Sequence, residues 1–184
     1  MGTSIQLALA AVAVAVVASA GVRPARADLA KIESTCKAAR AVERYFSPVF
    51  CRQRLSRHPG AADADVPELA RIAAALGAGN ADAARAEVAR LAGSSGDEGY
   101  RWALERCGRL FSAVRLAFAA AEEAIVGRRY AAVREKLADA SMLGHGCGGD
   151  FAGAGYPSPV TNYSVHNTQF VNMCIGITGL INIR

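Results

Sequence analysis

The chain predicts an all-α protein: an antiparallel four-helix bundle preceded by a short helical hairpin stapled by a disulfide. Three observations predict it. From residue 65 onward apolar residues recur at helical spacing, with little strand-type alternation. Helix starts and turn signals divide that stretch into four helices with mostly short connections, the pattern of an antiparallel bundle. Two pairs of cysteines flank the turns between predicted helices.

The N-terminus comes first. Residues 5–18 hold one polar residue, Gln6, and no charge, and small residues follow before Arg23 and Arg26. An apolar run of this length before a small-x-small site is the pattern of a cleaved secretory signal. It is shorter than the roughly 20 residues that span a bilayer. Ala18-Ser19-Ala20 and Ala25-Arg26-Ala27 are both candidate cleavage sites. Residues 1–27 are therefore read as a signal peptide and 28–184 as one mature domain, with no membrane association after cleavage. The expected location is extracellular, the setting in which disulfides form and persist.

Within the mature chain, 28–60 is expected to form the hairpin. "ESTCKAARAVERYFSPVFCRQRL" at 33–55 reads as two short helices around Phe46-Ser47-Pro48, because a residue before proline leaves helical geometry. Cys36 and Cys51 lie on either side of that turn. Joined, they close a loop of about 15 residues, worth roughly 3 kcal/mol in the chain-entropy model.

Residues 65–184 are expected to form the bundle. Asp65-Val66-Pro67-Glu68 is a helix start, with Asp65 as cap, Pro67 in the first turn and Glu68 at the capping-box position. The first bundle helix carries Leu69, Ile72, Leu76, Ala83, Val88 and Leu91 on one stripe, weakened in its middle by Gly77, Gly79 and Asn80. After a loop at 93–99 a second helix places Trp102, Cys107, Leu110, Phe111, Val114, Phe118 and Ile125 on its stripe. A tight turn at 127–129 leads to a third, carrying Tyr130, Val133 and Leu137. Gly- and Pro-rich residues 144–160 read as a long loop, and 162–183 as the fourth helix through Phe170, Met173, Ile177 and Leu180.

The segment "MLGHGCGGDFAGAG" at 142–155 poses the functional question. Cys147 is a nucleophile with His145 as base, a metal ligand beside His145, or half of a disulfide. Cys107 and Cys147 lie 20 residues on either side of the turn near Gly127. Two antiparallel helices rising about 1.5 Å per residue bring them to the same height, about 30 Å from the turn. A bridge there closes a 40-residue loop, worth roughly 4 kcal/mol. Compartment, parity and geometry favour the bridge, leaving Cys174 as the unpaired fifth cysteine, a small apolar residue on a helix.

The competing chemistries find little support. The spacing of His145 and Cys147 is unpersuasive for a nucleophile and base with an orienting third group. No pair shows the spacing of a zinc site, so no metal is expected. His58 and His166 read as surface residues, and Glu122-Glu123 as a solvated pair. The glycine run lacks the Lys-Ser/Thr of a phosphate loop. No catalytic residue and no cofactor is expected. Net charge is +5, and the arginines are scattered without a basic-aromatic motif, which argues against nucleic acid. The surplus keeps the protein soluble or supports weak, screened contact with acidic wall polysaccharide. Asn162-Tyr163-Ser164 is the single N-glycosylation sequon, and Asn162 is alternatively the cap of the last helix.

Taken together, a secreted chain with a stapled hairpin and a bridged bundle resembles the plant invertase and pectin methylesterase inhibitor family across residues 28–184. The strongest part is 100–151, where Cys107, Tyr130, Cys147 and Phe151 stand at family motif positions. "FVNMCIGITGLI" is similar to the last helix of members with an unpaired fifth cysteine, here Cys174. Three features depart. Fourteen residues separate Cys36 from Cys51, where the family usually has about eight. Gly146-Cys147-Gly148-Gly149-Asp150 replaces the Thr-Cys-x-Asp common in pectin methylesterase inhibitors. Pro157-Ser158-Pro159-Val160 stands where invertase inhibitors often carry Pro-Lys-Phe.

The resemblance implies an enzyme inhibitor rather than an enzyme. It implies a reversible, non-covalent 1:1 complex with pectin methylesterase that blocks the active-site cleft, in the cell wall. Acid invertase is the alternative target, and a non-inhibitory helical binding module the alternative class. The implied contact surfaces are the exposed faces of the second and third bundle helices and the loop 152–161, with Tyr156 and Pro157 as loop-tip candidates.

Overall fold

The computed structural model describes residues 25–181, and the apolar segment read as a signal peptide lies outside the described residues. Among the described residues there are seven α-helices and no strand. α1 (Ala25–Val42) and α2 (Pro48–Leu55) form the hairpin. Ser47 caps α2 by accepting the Phe50 N–H, and Pro48 begins the helix. Cys36 and Cys51 are bonded across the pair, with Cα atoms 5.9 Å apart, and both are fully buried. The turn is tied to the last helix: Gln169 Oε1 accepts the Ser47 N–H at 2.8 Å and the Asn172 amide donates to Tyr45 O at 3.0 Å.

The bundle consists of α3 (Val66–Ser94), α4 (Glu98–Val126), a helix broken into α5 (Ala132–Lys136) and α6 (Ala140–Gly153), and α7 (Thr161–Gly179). α3 packs on α4, α4 on α6, α6 on α7 and α7 back on α3, so the four long helices stand at the corners of a square. Leu69, Ile72, Leu104, Phe111, Phe118, Phe151, Met173 and Ile177 fill its interior. The hairpin lies outside this square, chiefly against α7 and partly against α3.

α3 runs unbroken through Gly77, Gly79 and Asn80, although those residues weaken it locally. Tertiary contacts compensate. A Cβ at Gly77 would strike the Phe118 ring, so the glycine lets α3 and α4 approach closely. Asn80 donates to Tyr163 O on α7 at 3.0 Å. Asp65 caps α3 as expected, accepting the Glu68 N–H at 2.9 Å. The Glu68 carboxylate does not complete a capping box. It takes two bonds from Arg71, whose other nitrogen reaches Glu122 on α4 at 3.0 Å. The α3 stripe is also set one position away from Ala83, which is exposed, while Ala81 and Ala84 are buried.

Two further expectations are corrected. Trp102 is 51% exposed and off the buried stripe, which begins instead at Ala103 and Leu104. Five residues before Cys107, at about 100° per residue, place it some 140° around the helix from that cysteine. The segment 144–160 is not one long loop, because α6 extends through Gly144, Gly146, Gly148 and Gly149 to Gly153. Polar side chains of α7 hold it there: Ser164 Oγ donates to Gly144 O at 2.7 Å and the Asn167 amide to Ala140 O at 2.6 Å. A Cβ at Gly144 would collide with that same Asn167 amide. The irregular segment shrinks to 154–160.

Cys107 and Cys147 are bonded, with Cα atoms 4.7 Å apart. The single straight third helix assumed in the equal-height argument is absent. A turn with Arg128 in the left-handed region (φ 56°), then α5 and a second turn, intervene before α6 comes to lie against α4. Cys174 is free and fully buried beside Ala70 O, and burial pushes its thiol up to about 12.

The two mid-helix glycines of α3 give opposite expected outcomes. Gly77→Ala drives a methyl into Phe118 and costs about 1–3 kcal/mol. Gly79→Ala adds a methyl where nothing lies within 4 Å and stabilises by up to about 1 kcal/mol. Urea unfolding midpoints at constant m-value check both.

Candidate functional site

Residues considered for chemistry occupy structural positions. Cys147 is consumed by its bridge, so it offers no thiolate beside His145. His145 Nε2 lies 3.0 Å from the Thr168 hydroxyl, which is 2.9 Å from Ser141 Oγ, and together they link α6 to α7. His58 Nδ1 accepts the Gly60 N–H of its own loop. Glu122 is paired with Arg71 and Glu123 is exposed. Among the described residues no group of three or more histidine, cysteine or acidic side chains is placed to hold a metal.

The loop candidates diverge. Tyr156 is half-buried and not at a tip. Its hydroxyl donates to Asp97 Oδ1 at 2.8 Å, and its ring packs edge-on to Tyr100, which in turn meets Phe151. Asp97, the cap of α4, is held below the usual carboxylate range by the Tyr100 N–H and then by the Tyr156 hydroxyl. The same carboxylate raises the Tyr156 phenol. This cluster closes one end of the bundle, and Pro157 is left exposed beside it.

Asn162 is exposed in the first turn of α7. It is not the cap, since Val160 holds that position without a side-chain bond. It lines a groove between α3 and α7 with Asn80, Tyr163, His166 and Arg54. Among its lining residues Arg54 of α2 meets His166 and Phe170 of α7, and Phe50 of α2 packs against all three. The guanidinium carbon lies 5.0 Å from the Phe50 ring centre, and its Nη2 lies 3.2 Å from both His166 nitrogens. Phe50 and Phe170 pack edge to face at 5.0 Å.

The opposite edge of the square, α4 with α6, carries a group that periodicity misassigned. Arg106 stacks over Trp102, 5.1 Å from the ring centre, and its Nε donates to Asp150 Oδ2 of α6 at 3.1 Å. The phase of Trp102 relative to Cys107 is the sequence signal that finds it. On the same two helices Arg109 and Met142 are exposed.

The chain that folds into this two-bridge, all-helical architecture matches, over residues 30–177, the family model for plant invertase/pectin methylesterase inhibitors. The chain belongs to that family. It is similar to pectinesterase inhibitor 8 of Oryza sativa subsp. japonica, with 41% identity over 152 residues, covering 81% of this chain and 82% of the relative. It is also similar to pectinesterase inhibitor 12 of the same organism, with 32% identity over 157 residues, covering 84% of this chain and 76% of the relative. As a member of the plant invertase/pectin methylesterase inhibitor family, the chain is an enzyme inhibitor of that kind and not itself an enzyme. Among the described residues no helix is long and apolar enough to cross a membrane.

The α2–α7 cluster carries a pH dependence. Burial, and secondarily the charge of Arg54, lower the pKa of His166 from its ordinary 6.5. The folded state therefore favours neutral imidazole. The contribution is complete above the unfolded value and is lost as pH falls through the lower folded value. The expected outcome is that the wild type loses more thermal stability than His166→Gln between pH 7.5 and 5. Parallel melting curves for the two would contradict it.

Proposed function

We propose that this chain is a secreted inhibitor of pectin methylesterase, acting through a reversible, non-covalent 1:1 complex that covers the enzyme's active-site cleft. The observation that carries the reading is that both relatives, at 41% and 32% identity, are named pectinesterase inhibitors. The chemistry agrees with a non-covalent mode. Four cysteines are spent in bridges and the fifth is buried with its thiol pushed up, so no reactive sulfur faces a partner.

The candidate contact surfaces are the exposed sides of α4 and α6 and the loop 154–160 with Pro157. Tyr156 has a role there in holding the loop against Asp97. Secretion follows from the apolar N-terminal segment, and a cell-wall location from the class of target. In that setting the excess of basic residues supports weak, salt-sensitive contact with acidic polysaccharide. Asn162, exposed and outside any cap bond, suits N-glycosylation.

The test is a side-by-side titration of the oxidised protein against a plant pectin methylesterase and a plant acid invertase at wall pH. The expected result is saturable inhibition of the methylesterase at near-equimolar ratio, with the invertase unaffected. Inhibition of the invertase alone would reassign the target. Activity against neither, across several isoforms, would leave a helical module without inhibitory function.

A further inference from the structure

We propose that Trp102, held by Arg106 and Asp150, is the anchoring residue through which the α4–α6 face binds the target enzyme. The inference rests on the inhibitor reading above, including its α4–α6 contact surface, and adds the residue that anchors it. Trp102 is the only tryptophan in the chain, and it is 51% exposed. It is not among the side chains packed against the hydrophobic core. Tryptophan is highly buried on average, so its place outside the core calls for a reason.

The exposed ring has a partner within the protein. Arg106 lies over one face, and Asp150 holds Arg106 by an ion pair in which the carboxylate is the more buried partner, 17% exposed against 45%. Arg106 directly precedes Cys107, and Asp150 lies three residues after Cys147. The disulfide thus sets the spacing of the pair, and the pair sets the ring. Arg106 thus packs on the indole while about half of the residue stays accessible, 51%. An anchor fixed before binding gives up less conformational freedom on association. Tryptophan and arginine are the residue types that most often dominate such interfaces.

The placement of the rest of the chain argues for this face over the others. The hairpin covers α7 and part of α3. Asn162, the sequon residue, lines the α3–α7 groove on that same side. The α4–α6 edge is the opposite side of the square, clear of both the hairpin and a glycan at Asn162. It also exposes Met142, 70% accessible, as a second large apolar side chain. An enzyme seated there meets a rigid aromatic, a second apolar contact and the exposed Arg109.

The experiment uses 5-fluorotryptophan incorporated into the otherwise unaltered full-length protein, which gives one fluorine resonance because the chain has one tryptophan. That resonance is followed while a plant pectin methylesterase is added, and inhibition is measured on the same samples. The expected result is a shift or broadening that saturates at the ratio where inhibition saturates. Trp102→Ala should weaken inhibition by roughly 30-fold or more, the loss typical of an anchor. Asp150→Asn, which releases Arg106, should weaken it by a smaller factor while the fold is retained by circular dichroism.

Full inhibition with an unperturbed resonance overturns the anchor and leaves the inhibitor reading standing. So does a folded Trp102→Ala variant of undiminished potency. If the unaltered protein inhibits no pectin methylesterase, the inhibitor reading fails and the anchor fails with it.

Discussion

The bridge between Cys107 and Cys147 is the constraint on which the rest of the bundle depends. α6 is a poor helix by composition, with glycines at 144, 146, 148, 149 and 153. Each costs about 1 kcal/mol against alanine in a helix interior, or about 5 kcal/mol together. Closing a 40-residue loop returns roughly 4 kcal/mol. Ser164 and Asn167 then bond the Gly144 and Ala140 carbonyls from α7. A segment with little helical tendency is made helical because α4 holds it by sulfur and α7 by hydrogen bonds. The same glycines make the grip possible, since a side chain at Gly144 would occupy the space that the Asn167 amide fills.

That compensation explains what was legible in the sequence and what was not. The hairpin turn, the cap at Asp65, the apolar stripe of α4 from Cys107 onward and that of α7 follow from local rules, and the structure has them. The course of α6 does not, because its glycines read as loop until the neighbouring helices are in place. Glu68 illustrates the same limit on a smaller scale. Its position fits a capping box, but Arg71, one turn away, competes for its carboxylate and also reaches Glu122. Trp102 was open to a closer reading, because five residues from a buried cysteine is the wrong phase for the core. The half-burial of Tyr156 depends on Asp97, 59 residues earlier, which no local pattern reports.

The molecule divides its two long edges between different tasks. Along α3 and α7 sit the hairpin, the cationic and aromatic cluster of Phe50, Arg54, His166 and Phe170, and the exposed Asn162. Its contacts are internal, and one of them responds to proton concentration. Along α4 and α6 the bridge is buried and the side chains above it face solvent. The hairpin is small and stapled, with its turn fastened to Gln169 and Asn172, so it braces α7 from outside the square.

The proposed mode, occupying an enzyme's cleft, favours a surface that holds its shape while it binds, since every side chain ordered on contact subtracts from affinity. Oxidation fixes α6 against α4, and the Asp150–Arg106 pair passes that order on to an exposed ring. The ion pair is about half exposed on its arginine side and contributes little to stability alone. Its value lies in position: it spans the two bridged helices beside the exposed Trp102 ring. A buried free cysteine completes the arrangement, because Cys174, enclosed beside Ala70 and far from its thiolate form, does not compete for either bridge.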